Sequence, residues 1–364
     1  MKAGVITFHR ANNYGAILQT WALQKVIKDF GIDACVINYH PEIIDKLYDP
    51  LNCKTGLLRK IGRVRQHLRN KDSLIRYDKF ISFNNHNLNL LGNFTNYEEL
   101  RNAKLNLDAY IVGSDQVWNE IHTGGFDPAY FLQFTEKDRK RIAYAASVGR
   151  DYFNQKYIDQ YKQCLQTFHA VSVRERSLAN AVSELVPLTP EVVLDPTMLL
   201  SKEDYDDIKK PASIREKYIL VYMIEKNEQL IEFANKVSVS LGMPIIQRKP
   251  GSKFLNELPP FYTADAGEFL GLIESASYVI TNSFHGTVFS ILYGKPFISM
   301  LHSDTGSRTE ELLQALGLQN HILHELKDFS DLNMFQIDKP EEIQQKIDRL
   351  RDTSLNFLEE ALGI

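Results

Sequence analysis

Short unbroken apolar runs alternate with apolar stripes at helical spacing along almost the whole of this chain. Runs of that length, bounded by polar residues or glycine, read as buried strands; the stripes read as helices packed on them. Residues 4–8 form the first run. Ile17, Leu18, Trp21, Ala22, Leu23, Val26, Ile27 and Phe30 then recur on a helical face up to Gly31, and residues 34–38 form a second run. Further strands are predicted at 107–112 and in the runs beginning at Arg141, Ala170 and Val192. The rhythm restarts with strands at 218–223, 244–247, 278–280 and 296–300. Helices are predicted at 227–241, at 265–275, through Val288, Phe289, Ile291 and Leu292 to Gly294, and through Leu312, Leu313 and Leu316 to Gly317. Residues 341–362 read as a last amphipathic helix. Strands alternating with helices predict parallel sheets, so two α/β halves are expected, linked at 185–191 where Pro187 and Pro190 fall.

Between the second and third strands the pattern changes. Arg59, Lys60, Arg63, Arg65, His67, Arg69 and Lys71 form a basic run inside an amphipathic stretch that continues to about Phe83. A solvated helical face accounts for it. A dock for an anionic lipid-linked acceptor, with peripheral membrane contact, is the alternative.

Loops that follow parallel strands lie at the carboxyl edge of the sheet, where open α/β folds bind ligands. The first such loop holds Asn12, Asn13, Tyr14 and Gly15 but no GxGxxG, which argues against a dinucleotide. Asn13 either caps the next helix or touches a ligand. The loop after 107–112 holds Gly113, Ser114, Asp115, Gln116, Trp118 and Asn119. Asp115 can take a proton from a sugar hydroxyl or cap a helix, Asn119 can hydrogen-bond, and Trp118 can stack on a sugar face. Ser147 and Gly149 repeat this arrangement, and Arg174 ends the next strand. There a guanidinium either clamps a carboxylate or phosphate or pairs with Glu175.

Residues 278–296 carry the sharpest candidate. A short strand gives way to Thr281, Asn282 and Ser283, and His285 stands at the start of the following helix. A helix N-terminus presents backbone N–H groups and a positive dipole end to anions. Gly286 admits a close ligand, Thr287 adds a hydroxyl, and His285 can donate to an anion or move a proton near neutral pH. Capping the helix, or filling a polar niche, is the structural alternative for His285. Arg308 opens the next helix but one strand later, near the same edge.

Composition adds mainly exclusions. A 364-residue chain with 44% hydrophobic and 24% charged residues suits two soluble domains. A formal charge of −4 gives no pull toward nucleic acid. Cys35, Cys53 and Cys164 are too few and too scattered for a disulfide scaffold or a cysteine zinc site, and no cluster has metal-ligand spacing. With no signal-peptide pattern and no membrane-length run, the expectation is a cytoplasmic protein, at most at the inner face of the membrane.

Seven segments in order then resemble the polysaccharide pyruvyl transferase family. They are Gly4–Phe8 with 13–19, 112–119, 144–149, 172–175, 194–197, 283–290 with 296–300, and Ser307-Arg308. The resemblance implies a GT-B-like fold: two Rossmann-like domains with parallel sheets facing a cleft. It places an acceptor-side domain at 1–187 and a donor-side domain at 188–340, with the helix in 341–364 returning to the first. It implies transfer of pyruvate from phosphoenolpyruvate onto two hydroxyls of a sugar, forming a cyclic ketal in capsular or exopolysaccharide biosynthesis. No cofactor is implied beyond that co-substrate; the acceptor is a sugar or a lipid-linked oligosaccharide. Transferred to this chain, His285 and Asp115 become the catalytic pair, with Ser283, Gly286, Thr287, Arg174 and Arg308 on the donor. Asn13, Tyr14, Ser114, Trp118, Asn119 and Ser147 fall to the acceptor. Some members carry arginine two residues before the histidine; Ser283 stands there here, and Arg174 and Arg308 are the candidates to replace it. A GT-B glycosyltransferase using a nucleotide sugar, or a carbohydrate-binding protein without activity, are the alternatives.

Overall fold

Eleven parallel strands among the described residues form two sheets. The computed structural model describes residues 1–51, 61–65, 70–248, 254–326 and 332–364. In the first sheet β1 (Lys2–Ile6), β2 (Asp33–Tyr39), β3 (Leu90–Phe94), β4 (Ala109–Val112), β5 (Lys140–Ala146), β6 (Ala170–Val173) and β7 (Glu191–Val192) lie in the order 3-2-1-4-5-6-7. In the second, β8 (Ile219–Tyr222), β9 (Ile245–Gln247), β10 (Tyr278–Thr281) and β11 (Phe297–Ser299) lie in the order 11-10-8-9. Every pairing is parallel.

These orders fix where crevices open at the sheet edges. The winding direction reverses between β1 and β4 in the first sheet and between β8 and β10 in the second. At such a switch point adjacent loops leave the carboxyl edge in opposite directions and open a crevice. The loop bearing Asp115 follows β4, and the loop bearing His285 follows β10. Both candidate catalytic residues therefore stand at switch points, each within its own sheet.

Chain contacts divide the molecule into two units, Met1–Leu200 with Arg349–Ile364, and Ser201–Asp348. β7 pairs with β6, so the chain leaves the first sheet only beyond the proline-bearing stretch at 185–191. Strand cores are closed by Ile6, Ile37, Val112, Ala143 and Val173 in the first unit and by Ile219, Val221, Ile280 and Ile298 in the second. The long helix Pro340–Leu362 begins in the second unit and ends in the first. Its later half is held there by Ser354, whose Oγ accepts from Leu194 N–H (2.9 Å), and by Phe357 against the Tyr144 ring.

Of the basic run, Arg59, Lys60, His67 and Arg69 lie outside the described residues. Residues 61–65 are helical, and Arg63 pairs with Asp78 on the helix Lys71–Asn87. Among the described residues no helix is long and apolar enough to cross a membrane.

Candidate functional site

The second unit builds its switch point around one aromatic ring. Ser283 caps the helix Phe284–Leu292, its Oγ accepting from Gly286 N–H at 3.3 Å. Phe284, the first helical residue, touches both His285 and Arg308. His285 lies edge-on to it, ring centroids 5.1 Å apart at 86°, and Arg308 sets its guanidinium carbon 5.3 Å from the same ring. An arginine over an aromatic face keeps its charge while its apolar plane is covered. His285 is 6% exposed and Arg308 half-buried. Three strand-end loops are tied together beside them. Asn282 accepts from Ile224 N–H (2.8 Å) and donates to Glu225 O (2.7 Å), and the Glu225 carboxylate accepts from both the backbone and the hydroxyl of Ser303.

Two donor-side expectations are corrected here. A Cβ on Gly286 would stand 2.3 Å from Thr281 Oγ1 and 3.0 Å from Tyr222 Cδ1. Close packing of the helix on the sheet, not approach of a ligand, requires that glycine. Thr287 is fully buried, its hydroxyl donating to Ser283 O (3.2 Å) and meeting Ser299 Oγ (3.0 Å). It braces the turn from below. Ser283 is likewise engaged as the cap.

In the first unit Asp115 holds a left-handed backbone, φ +80°, uncommon for an L residue although aspartate tolerates it better than most, and its surroundings hold it there. The surroundings are visible. Asp115 O accepts from Ser147 N–H and Ser147 O accepts from Trp118 N–H, both at 3.1 Å. Asp115 Oδ1 accepts from Gln116 N–H at 2.9 Å, and the residue is half-buried. Beside it, Gln116 is oriented at its carbonyl by Asn119 Nδ2 and His122 Nε2, each 2.9 Å from Oε1.

Arg174 is not an open clamp. Its Nε donates to Glu175 Oε1 and its Nη1 to Asp195 Oδ2, both at 3.0 Å, with all three side chains buried. Burial opposes its charge, but the Glu175 and Asp195 carboxylates, with Asp115 beyond them, hold the guanidinium above its ordinary pKa. Ser114 Oγ donates to Asp195 (2.8 Å) and Ser147 Oγ to Glu175 (3.0 Å), which commits two expected acceptor contacts to the same buried network. Two carboxylates already balance this cation, so it offers no net positive charge to a further anion.

The remaining acceptor candidates are structural as well. Asn13 caps the helix Tyr14–Asp29 by accepting from Gly15 N–H, and Asn119 caps the short helix Glu120–Thr123. Tyr14 is fully buried, its hydroxyl accepting from Arg76 Nη1 at 2.8 Å. Trp118 is 1% exposed, stacked on Phe131 (5.4 Å, 10°), with its indole N–H donating to Tyr130 O. Its face is covered by protein, so a sugar has no access to it. Trp118→Ala is expected to cost about 3–5 kcal/mol in urea unfolding. Wild-type stability with weakened acceptor binding would restore the stacking role.

The first loop contains a pH-sensitive anchor. His9 is fully buried, with Nδ1 3.2 Å from Thr7 O and Nε2 3.0 Å from Asn38 Oδ1. Burial first, then the Arg10 charge, lowers its pKa from 6.5 to about 4. Since the unfolded ring binds its proton more readily, the stability linked to neutral His9 is complete above pH 6.5 and is lost as pH falls toward 4. Urea midpoints across that window should decline by an amount approaching ~3 kcal/mol, and His9→Gln should flatten the decline.

Three groups at these edges escaped the motif reading. Gln116 lies inside a motif but presents its side chain beside Asp115. Tyr48 is half-buried, its phenol pushed up by burial and by the nearby Asp115 carboxylate. Arg248 directly follows β9; a cation just past a predicted strand was the available signal. Among the described residues no group of three His, Cys, Asp or Glu side chains could hold a metal ion.

A sequence profile described as polysaccharide pyruvyl transferase matches residues 13–304. No curated protein matches the sequence. Solved structures similar to it include a UDP-GlcNAc 2-epimerase from Neisseria meningitidis bound to UDP-GlcNAc, 11% identical, covering 100% of this chain and 99% of that one at TM-score 0.48. A putative UDP-N-acetylglucosamine 2-epimerase from Listeria monocytogenes is 10% identical over 99% and 91%, TM-score 0.49. A heptosyltransferase from E. coli with ADP-2-deoxy-2-fluoro heptose is 10% identical over 96% and 99%, TM-score 0.38. Likeness at this level carries no inference about chemistry.

Proposed function

We propose, from the premise that this chain belongs to the polysaccharide pyruvyl transferase family, that it transfers pyruvate from phosphoenolpyruvate to two hydroxyls of one sugar. The observation that carries this reading is the shared Phe284 contact of His285 and Arg308 at the second switch point. It sets a proton donor beside a cation, which suits a small dianion, and the turn adds the positive end of a helix.

The balance of the reaction assigns the roles. The methylene carbon of the donor takes a proton, leaving an oxocarbenium-like centre at the next carbon. One sugar hydroxyl oxygen bonds to that carbon and the C–O bond to phosphate breaks. The second hydroxyl then closes the ketal. Of the two hydroxyl protons, one is accounted for by the new methyl group and one by the released phosphate. In this scheme Arg308 binds an acid group of the donor, and His285 supplies the proton. Asp115 receives a hydroxyl proton from the acceptor. The buried Arg174–Glu175–Asp195 network positions Asp115 through Ser147 and Ser114.

Incubation with phosphoenolpyruvate and a galactoside panel, followed by mass spectrometry, tests the reading. The expected product gains a pyruvate ketal as phosphate appears. Melting curves give a second check, because a ligand of the folded state raises the midpoint. Stabilisation by UDP-sugars and not by phosphoenolpyruvate would favour a glycosyltransferase instead.

A further inference from the structure

With Arg174 neutralised, the second unit has to supply another cation if both acid groups of the donor are to be held. Arg248 stands at the carboxyl end of β9, the strand next to β8. Its guanidinium carbon lies 6.0 Å from the Tyr222 ring centroid. Tyr222 is the last residue of β8 and pairs with Thr281 of β10; its Cδ1 lies 3.0 Å from where a Cβ on Gly286 would be. Tyr222 thus borders the His285 turn as Phe284 does. Each of the two rings carries an arginine, Arg248 on Tyr222 and Arg308 on Phe284.

The bonding of Arg248 sets it apart from the other arginine at a strand end. Its Nε is buried and has no hydrogen-bond partner among the described residues. The residue before it, Gln247, donates from Nε2 to the Glu257 carboxylate at 2.6 Å. A buried guanidinium N–H without an acceptor is unfavourable, and an arriving oxyanion removes that penalty through a charge-assisted hydrogen bond. We infer that Arg248 is a second anion-binding residue of the donor site, holding one acid group of a small diacid while Arg308 holds the other. This rests on the functional reading above and extends it to a residue outside every motif.

Calorimetric titration with phosphoenolpyruvate, inorganic phosphate and pyruvate separates the two levels. Wild-type protein should bind phosphoenolpyruvate more tightly than either single-acid compound. Arg248→Gln should weaken phosphoenolpyruvate about 10–100-fold, the usual range for one charged hydrogen-bond partner. It should also narrow the preference over the single-acid compounds. Arg248→Lys should recover part of the affinity, and the ligand-free melting midpoint should be unchanged in both variants. Wild-type protein that binds phosphoenolpyruvate while Arg248→Gln binds it equally well overturns the assignment alone. Wild-type protein that ignores phosphoenolpyruvate overturns the functional reading and the assignment with it.

Discussion

Replacing His285 with alanine is expected to lower ketal formation by about 10²–10⁴-fold, the usual contribution of a placed general acid or base. The effect should fall on turnover, because in the proposed scheme arginines, not His285, hold the donor. His285 is 6% exposed and packs edge-on against Phe284, so alanine also removes some packing. His285→Gln keeps most of that bulk and a hydrogen-bond donor while losing proton transfer at neutral pH. The glutamine variant should melt as the wild type does, bind phosphoenolpyruvate nearly as well, and remain slow. Full turnover in it would remove the imidazole from the chemistry. Loss of binding with unchanged turnover at saturation would make His285 an anchor for the donor instead.

The alternation of strands and helices was legible because parallel strands covered on both faces are continuous apolar runs, and each is followed by a helix. The edge strand β3 was not legible. Leu90-Leu91-Gly92-Asn93-Phe94 is only half-buried and bends at Gly92, φ +71°, so its composition resembles a loop. For the candidate site, strand ends told which residues lie at the carboxyl edge of a sheet, as with Asp115 after β4 and His285 after β10. They did not tell which way a side chain turns once there. Ser114, Ser147 and Arg174 all reach the first sheet's edge, yet they converge on Glu175 and Asp195. Asp195 is 81 residues from Ser114 in sequence, and no local pattern announces that pairing. The left-handed residue Ala145, φ +51°, is equally silent, although it sits in the irregular register between β5 and β6 just before Ser147. Positions read from periodicity hold; partners set by tertiary contact have to be seen.

Removing the Arg174 guanidinium is expected to destabilise the first unit by about 3–5 kcal/mol, because it leaves two buried carboxylates without their counterion. Arg174→Gln would still reach one oxygen, but Glu175 and Asp195 would then repel each other where little water screens them. Asp195→Asn in the Arg174→Gln background should cost less than in the wild type, since the charge it removes is no longer compensated. That coupling, read from urea unfolding of the four proteins, measures the ion pair itself. If Arg174→Gln unfolded like the wild type and instead bound phosphoenolpyruvate poorly, the network would be a ligand clamp after all. In that case the positioning of Asp115 would have to be sought in the Ser147 backbone alone.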